Sequence, residues 1–151
     1  MQNLGDLFSD ELKEQFADDN FKIGAVLKHH DASTNPPKLK ISVIIGFDSQ
    51  NLFMASVYIN SEINPNIFRS PQARKQHLEL DATTRDYLDH TSYVDCSKFR
   101  VRDASLIKKL ITDDPNVHIG ELSSSYLTDV LDKIKNSVTI TQSEKKRFGF
   151  I

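Results

Sequence analysis

Cysteine is almost missing from this chain: Cys96 is the single one among 151 residues. That excludes an internal disulfide framework and fits a reducing compartment, most simply the cytoplasm. No apolar run approaches the roughly 20 residues a membrane helix needs, so no membrane partner is expected. The opening Met1-Gln2-Asn3-Leu4-Gly5-Asp6 has neither the cationic nor the apolar region of a signal peptide. A basic excess is also lacking. The formal net charge is −2, whereas proteins that grip nucleic acid over a wide surface are usually basic. Any nucleic-acid site here is therefore local. Internal repeats and low-complexity tracts are absent as well.

What remains is an ordinary globular composition, 38% hydrophobic and 26% charged, long enough for one domain with its own core. The strongest pattern is a pair of hydrophobic runs, Leu39–Phe47 and Leu52–Ile59, separated by the polar turn Asp48-Ser49-Gln50-Asn51. β-Branching at Ile41, Val43, Ile44 and Ile45 predicts a strand covered on both faces. The turn predicts a hairpin. Its outer ends carry chemistry: Lys38 and Lys40 on the first run, Asn60-Ser61-Glu62 after the second.

Around this hairpin the pattern predicts further elements. Leu4, Leu7, Phe8, Leu12 and Phe16 share one face of an N-terminal helix that ends near Asp18-Asp19-Asn20. Phe21–Lys28 alternates as a half-buried strand, with Phe21, Ile23, Ala25 and Leu27 inward. His29 to Pro37 reads as a loop closed by two prolines, and Asn64 to Arg74 as a second. Gln76–Leu80 and Tyr93–Val101 read as strands, with Cys96 a small buried residue inside the latter. Thr83–His90 reads as one helical turn or an irregular excursion. Asp103 caps a helix over Ser105–Ile111, and Ser123 caps a longer one that Asn136 closes. Val138–Ile140 is a candidate edge strand. The basic tail with Phe148 and Phe150 is a docking or nucleic-acid contact, or a frayed end. The expectation is one mainly β (α+β) domain over 1–151: helix 1–20, a small antiparallel barrel over 21–103, a part with two helices over 104–140, and a tail over 141–151. A strongly twisted sheet of this size curls to hide its edges.

Several segments, in order, resemble the MazF/PemK family of toxin endoribonucleases, which have an SH3-like barrel. Lys40-Ile41-Ser42-Val43-Ile44-Ile45 is similar to that family's Arg-Pro-Val-Val-Ile-Ile strand. Val57-Tyr58-Ile59-Asn60-Ser61-Glu62 is similar to its next strand, which ends in Thr-Ser-Gln. Phe99-Arg100-Val101-Arg102-Asp103, with Leu106 beyond it, resembles its strand-to-helix junction, and Ile119-Gly120-Glu121-Leu122 its Ile-Gly-Lys-Leu segment. Two positions differ: Lys40 stands for an arginine and Asn60 for a threonine. Lysine keeps the charge without the bidentate fork, and asparagine keeps hydrogen bonding without the hydroxyl.

The resemblance implies metal-independent cleavage of single-stranded RNA, with no cofactor, in a homodimer whose groove an antitoxin protein covers. It makes Lys40 the phosphate cation and gives Asn60 and Ser61 the phosphate or the 2′-hydroxyl. His29 or His30 is the acid or base. Lys38, Tyr58, Arg100 and Arg102 are the candidate RNA contacts, with Arg100 and Arg102 sharing one strand face that is either a phosphate track or a solvated face, and Tyr58 and Phe68 are candidate stacking platforms. The competing expectation is a non-catalytic RNA- or protein-binding module on the same barrel. Two local readings are set aside. Asp89-His90 with Ser92 is not a triad by adjacency, and Asp81, Asp86, Asp89, His90 and Asp95 match no metal-ligand spacing.

Overall fold

The hairpin forms as its pattern requires. In the computed structural model, which describes residues 9–31, 34, 36–83 and 85–151, β2 (Lys38–Phe47) and β3 (Phe53–Asn60) pair antiparallel. Asp48 accepts from the Leu52 and Phe53 amides, and Asn51 takes the left-handed conformation that closes the turn. A register shift between Ile44 and Gly46 bends β2. Val43, Ile44, Ile45, Ala55 and Val57 are all at most 1% exposed, so both faces of this hairpin are covered.

Five further strands complete one antiparallel sheet: β1 (Ala25–Asp31), β4 (His77–Leu80), β5 (Ser92–Asp95), β6 (Arg100–Asp103) and β7 (His118–Glu121). Their order is β4-β5-β3-β2-β1-β7, with β6 also on β3. Five helices pack around it: α1 (Asp10–Asn20), α2 (Pro71–Lys75), α3 (Ala104–Asp113), α4 (Ser124–Lys135) and α5 (Gln142–Arg147). The chain is thus α+β, with a curled antiparallel sheet that forms a partial small barrel. Among the described residues no helix is long and apolar enough to cross a membrane.

Two packed layers hold the sheet. One face carries Val26, Val43, Ile45, Val57 and Val94 against Val130 and Ile134 of α4. The other carries Ala25, Leu27, Ile44 and Met54 against Ala17 of α1 and Ile107 and Ile111 of α3. The sheet ends are drawn together by side chains. The Tyr87 ring, in the loop after β4, rests on Gly120 of β7, where an added Cβ would lie 2.5 Å from Cδ1. Only glycine permits that approach.

Several local expectations need correction, mostly because pairing overrides pattern. Leu4, Leu7 and Phe8 lie outside the described residues, and Leu12 is 56% exposed; Ala17 supplies the buried contact of α1 instead. Phe21–Gly24 is a turn rather than strand, leaving Ile23 exposed, and β1 continues through His29 and His30, which pair with Lys40 and Leu39. The Asn64–Arg74 loop ends in α2, capped by Ser70. Tyr93–Val101 is two strands, because β3 pairs with β5 at one end and β6 at the other. Cys96 lies between them, fully buried, its thiol pushed up to about 12 chiefly by burial and then by Asp95. Residues 138–140 form no strand, while β7, beyond the 21–103 span, joins the sheet. The tail is not frayed. It forms α5, capped by Thr141, and buries Phe148 and Phe150. Lys145 is also buried, its ammonium donating to the Lys135 carbonyl at the end of α4.

One titration follows from this packing. His118 of β7 sits edge-on to Phe16 of α1, and burial chiefly holds its pKa below the ordinary 6.5, against an opposing pull from Glu121. The folded state thus prefers the neutral ring. Its stability contribution is full above pH 6.5 and lost as pH falls through the lowered value. Urea midpoints at pH 7.5 and 5.5 should show a smaller acid loss in His118→Gln than in wild type.

Candidate functional site

Part of the sheet face that packs on α1 and α3 stays open. It forms a cleft of about 670 Å³ walled by the ends of β2 and β3, the 62–68 loop, the 89–92 loop and β6. Five cations line it (Lys28, Lys38, Lys40, Lys98 and Arg100) against the carboxylates of Glu62, Asp89 and Asp95. A chain of net charge −2 therefore concentrates positive charge in one groove.

Hairpin register sets the floor. Ile41 pairs with Ile59, which places Lys40 beside Asn60. The Lys40 ammonium donates to Asn60 Oδ1 at 2.8 Å and lies 4.6 Å from the centre of the Tyr58 ring. Its pKa is lowered by burial first, then by Lys38 and Arg100, while Asp31 and Asp95 oppose the shift. Asn60 keeps its amide N–H groups for another acceptor, because only its oxygen is used by Lys40. Arg100 approaches the same Tyr58 ring at 5.1 Å. Among the described residues neither Lys40 nor Arg100 is ion-paired.

Behind this floor lies a buried carboxylate that the sequence reading missed. Asp31, 6% exposed at the end of β1, accepts from the Tyr58 hydroxyl and lies 3.1 Å from the Arg102 guanidinium. In a flat sheet β1 and β6 would stand three strand spacings apart, about 14 Å. Their contact shows that the β1–β2 arm bends over the Tyr58 face. On the other side, His77 and Asp95 are both buried, with Nε2 and Oδ1 3.5 Å apart. The His77 Nδ1–H donates to the Ala73 carbonyl, and its ring packs edge-on to Phe68. These His77 contacts to Ala73 and Phe68 fasten the 64–75 segment to the sheet as the groove's back wall.

The residues picked out by sequence thus divide in two. Lys38, Lys40, Tyr58, Asn60, Ser61 and Arg100 meet in the groove. His29 shares the face of Lys40, its direct partner, while its Nδ1–H donates to the His30 carbonyl. His30 is one step on, pairing with Leu39, and does not line the groove. Arg102 is held away by Asp31. Tyr58 and Phe68 are each 8% exposed, so both rings form wall and floor with little open surface. His90, which does line the groove, is an imidazole that sequence reasoning weighed only as a triad or metal candidate and set aside, because its polar loop gave no sign of where it would fold. No protein-family model matches this chain, and no curated protein does at a significant level.

Proposed function

We propose that this protein is a metal-independent endoribonuclease of the MazF/PemK kind, cleaving single-stranded RNA in the groove above Lys40 and Asn60. The observation that carries this reading is the 2.8 Å Lys40–Asn60 contact, set in a cation-rich groove on an otherwise acidic chain. In the reaction, the ribose 2′-hydroxyl loses its proton and attacks the adjacent phosphorus. A 2′,3′-cyclic phosphate forms as the P–O5′ bond breaks, and the leaving 5′-oxygen takes a proton. Lys40 and the Asn60 amide stabilise the charge on phosphorus. Lys40, with its lowered pKa, also gives a proton to the leaving oxygen more readily than an ordinary lysine. Ser61 orients the phosphate from the rim, with Lys38 and Arg100 along the strand. The base is His90, which lines the groove, or His29, which shares the face of Lys40 without lining it. The same reading carries a cytoplasmic homodimer and an antitoxin protein that covers the groove.

The second reading is a non-catalytic binding module. It is favoured by the way Asn60 already occupies the Lys40 ammonium and by the absence of a guanidinium fork at that position. Incubation of the protein with a generic single-stranded RNA in EDTA separates the two. Cleavage to ends carrying cyclic phosphate is the expected result. Retention of intact RNA at high protein concentration overturns the nuclease and leaves the binding module.

A further inference from the structure

We propose that Asp31 is a positioning residue for the groove. Its buried carboxylate holds the Tyr58 ring as a platform that presents Lys40 and Arg100, unpaired with any carboxylate, to the phosphates of a bound strand. The identity of that strand as RNA rests on the function proposed above; the platform itself does not.

Three observations meet here. A carboxylate that is only 6% exposed is costly to hold unless it is paired and hydrogen-bonded. Asp31 meets both needs, taking Arg102 and the Tyr58 O–H among its partners. The pairing removes Arg102 from the free charge of this face and leaves the other two cations to the ring. Secondly, a tyrosine ring anchored at its hydroxyl loses its freedom to swing. Lys40 at 4.6 Å and Arg100 at 5.1 Å from the ring centre therefore have a fixed neighbour. A ring quadrupole attracts a cation without neutralising it, so both charges stay available to an anion. Thirdly, no acceptor among the described residues meets the buried Arg100 Nε. Arg100 is thus placed by stacking and strand pairing, with no carboxylate to compete against phosphate.

The field at Lys40 comes from Lys38 on β2, Asp31 on β1, Arg100 on β6 and Asp95 on β5. Replacing Asp31 removes an anion that favours the ammonium, so the Lys40 pKa falls further.

The test uses the full chain with Asp31→Asn and Tyr58→Phe, each checked for folding by thermal melting. Affinity for an uncleavable 2′-O-methyl hexanucleotide is read by fluorescence anisotropy across pH, and the Lys40 ε-methylene is titrated by NMR in the free protein. We expect Tyr58→Phe, which removes the anchoring hydroxyl, to bind roughly tenfold more weakly. In Asp31→Asn, the Lys40 titration and the alkaline loss of binding should both move to lower pH. Wild-type affinity in Tyr58→Phe with an unmoved Lys40 titration in Asp31→Asn overturns the platform. If the wild type itself fails to bind the oligonucleotide, the RNA reading falls, and the Lys40 titration alone decides the role of Asp31. Should Asp31→Asn not fold, Tyr58→Phe, which keeps the ring and the carboxylate, carries the test: an unchanged affinity refutes the anchor.

Discussion

Replacement of Phe150 by alanine should cost about 3–5 kcal/mol of stability and lower the Tm on the order of 10 °C for a chain of this length. The ring is 6% exposed although it is the penultimate residue. It packs on Phe99, with centroids 6.0 Å apart, while Phe148 meets the same ring edge-on at 5.3 Å. Gly46 is part of the fit. A Cβ there would stand 3.3 Å from Phe150 Cζ and 3.4 Å from the Phe148 carbonyl. Alanine at 150 therefore leaves a cavity bounded by β2, the Cys96–Phe99 segment and α5, all tied to the sheet, so the site has little freedom to collapse. The Lys145–Lys135 contact fixes α5 from its other side. Chemical denaturation of Phe150→Ala beside Ile151→Ala, whose side chain is exposed, measures the effect. A loss below about 1 kcal/mol would show that the tail only rests on the core.

That tail shows where sequence reading stops. Two phenylalanines among Lys145, Lys146 and Arg147 have no period to mark them as core, and their burial depends on a gap beside Gly46 set by distant strands. Local chemistry was read well. Asp103 and Ser123 cap their helices because short acceptor side chains satisfy amides two or three residues on, and β-branching marked β2. Non-local pairing was not. The break between β5 and β6 exists because β3 takes two partners along its length, and His29 and His30 become strand because β2 extends back to Lys38. The site follows the same division. Lys40 and Asn60 come together through the register of one hairpin, which its turn makes readable. Asp95 and His90 reach the groove, and Asp31 and His77 stand behind it, through a bent arm, two short strands and a loop, and no local pattern encodes that. The fold class was therefore accessible from pattern, the groove's floor from the hairpin, and its walls only from the three-dimensional structure.

Lys40→Ala should reduce RNA cleavage about 10²–10³-fold, the usual loss when one donor to a developing oxyanion is removed. The salt dependence of binding should fall by about one phosphate contact. Size alone does not decide the case, because any change on the groove floor can weaken binding; the pH profile does. In the proposed reaction Lys40 acts as an ammonium, and burial with Lys38 and Arg100 lowers its pKa beneath the ordinary 10.5. Activity is therefore present below the lowered value and lost as pH rises through it, earlier than for an exposed lysine. Lys40→Arg replaces the titrating ammonium with a guanidinium that stays charged throughout this range. It should keep oligonucleotide binding and move the alkaline loss of that binding to higher pH. Cleavage need not follow, since a guanidinium is a poor proton donor. If Lys40→Arg binds the RNA strand but cleaves slowly, Lys40 serves as acid as well as clamp. If it cleaves like the wild type, Lys40 is a clamp alone, and His90 or His29 must supply the proton. Undiminished cleavage by Lys40→Ala in EDTA would remove the reaction from this groove.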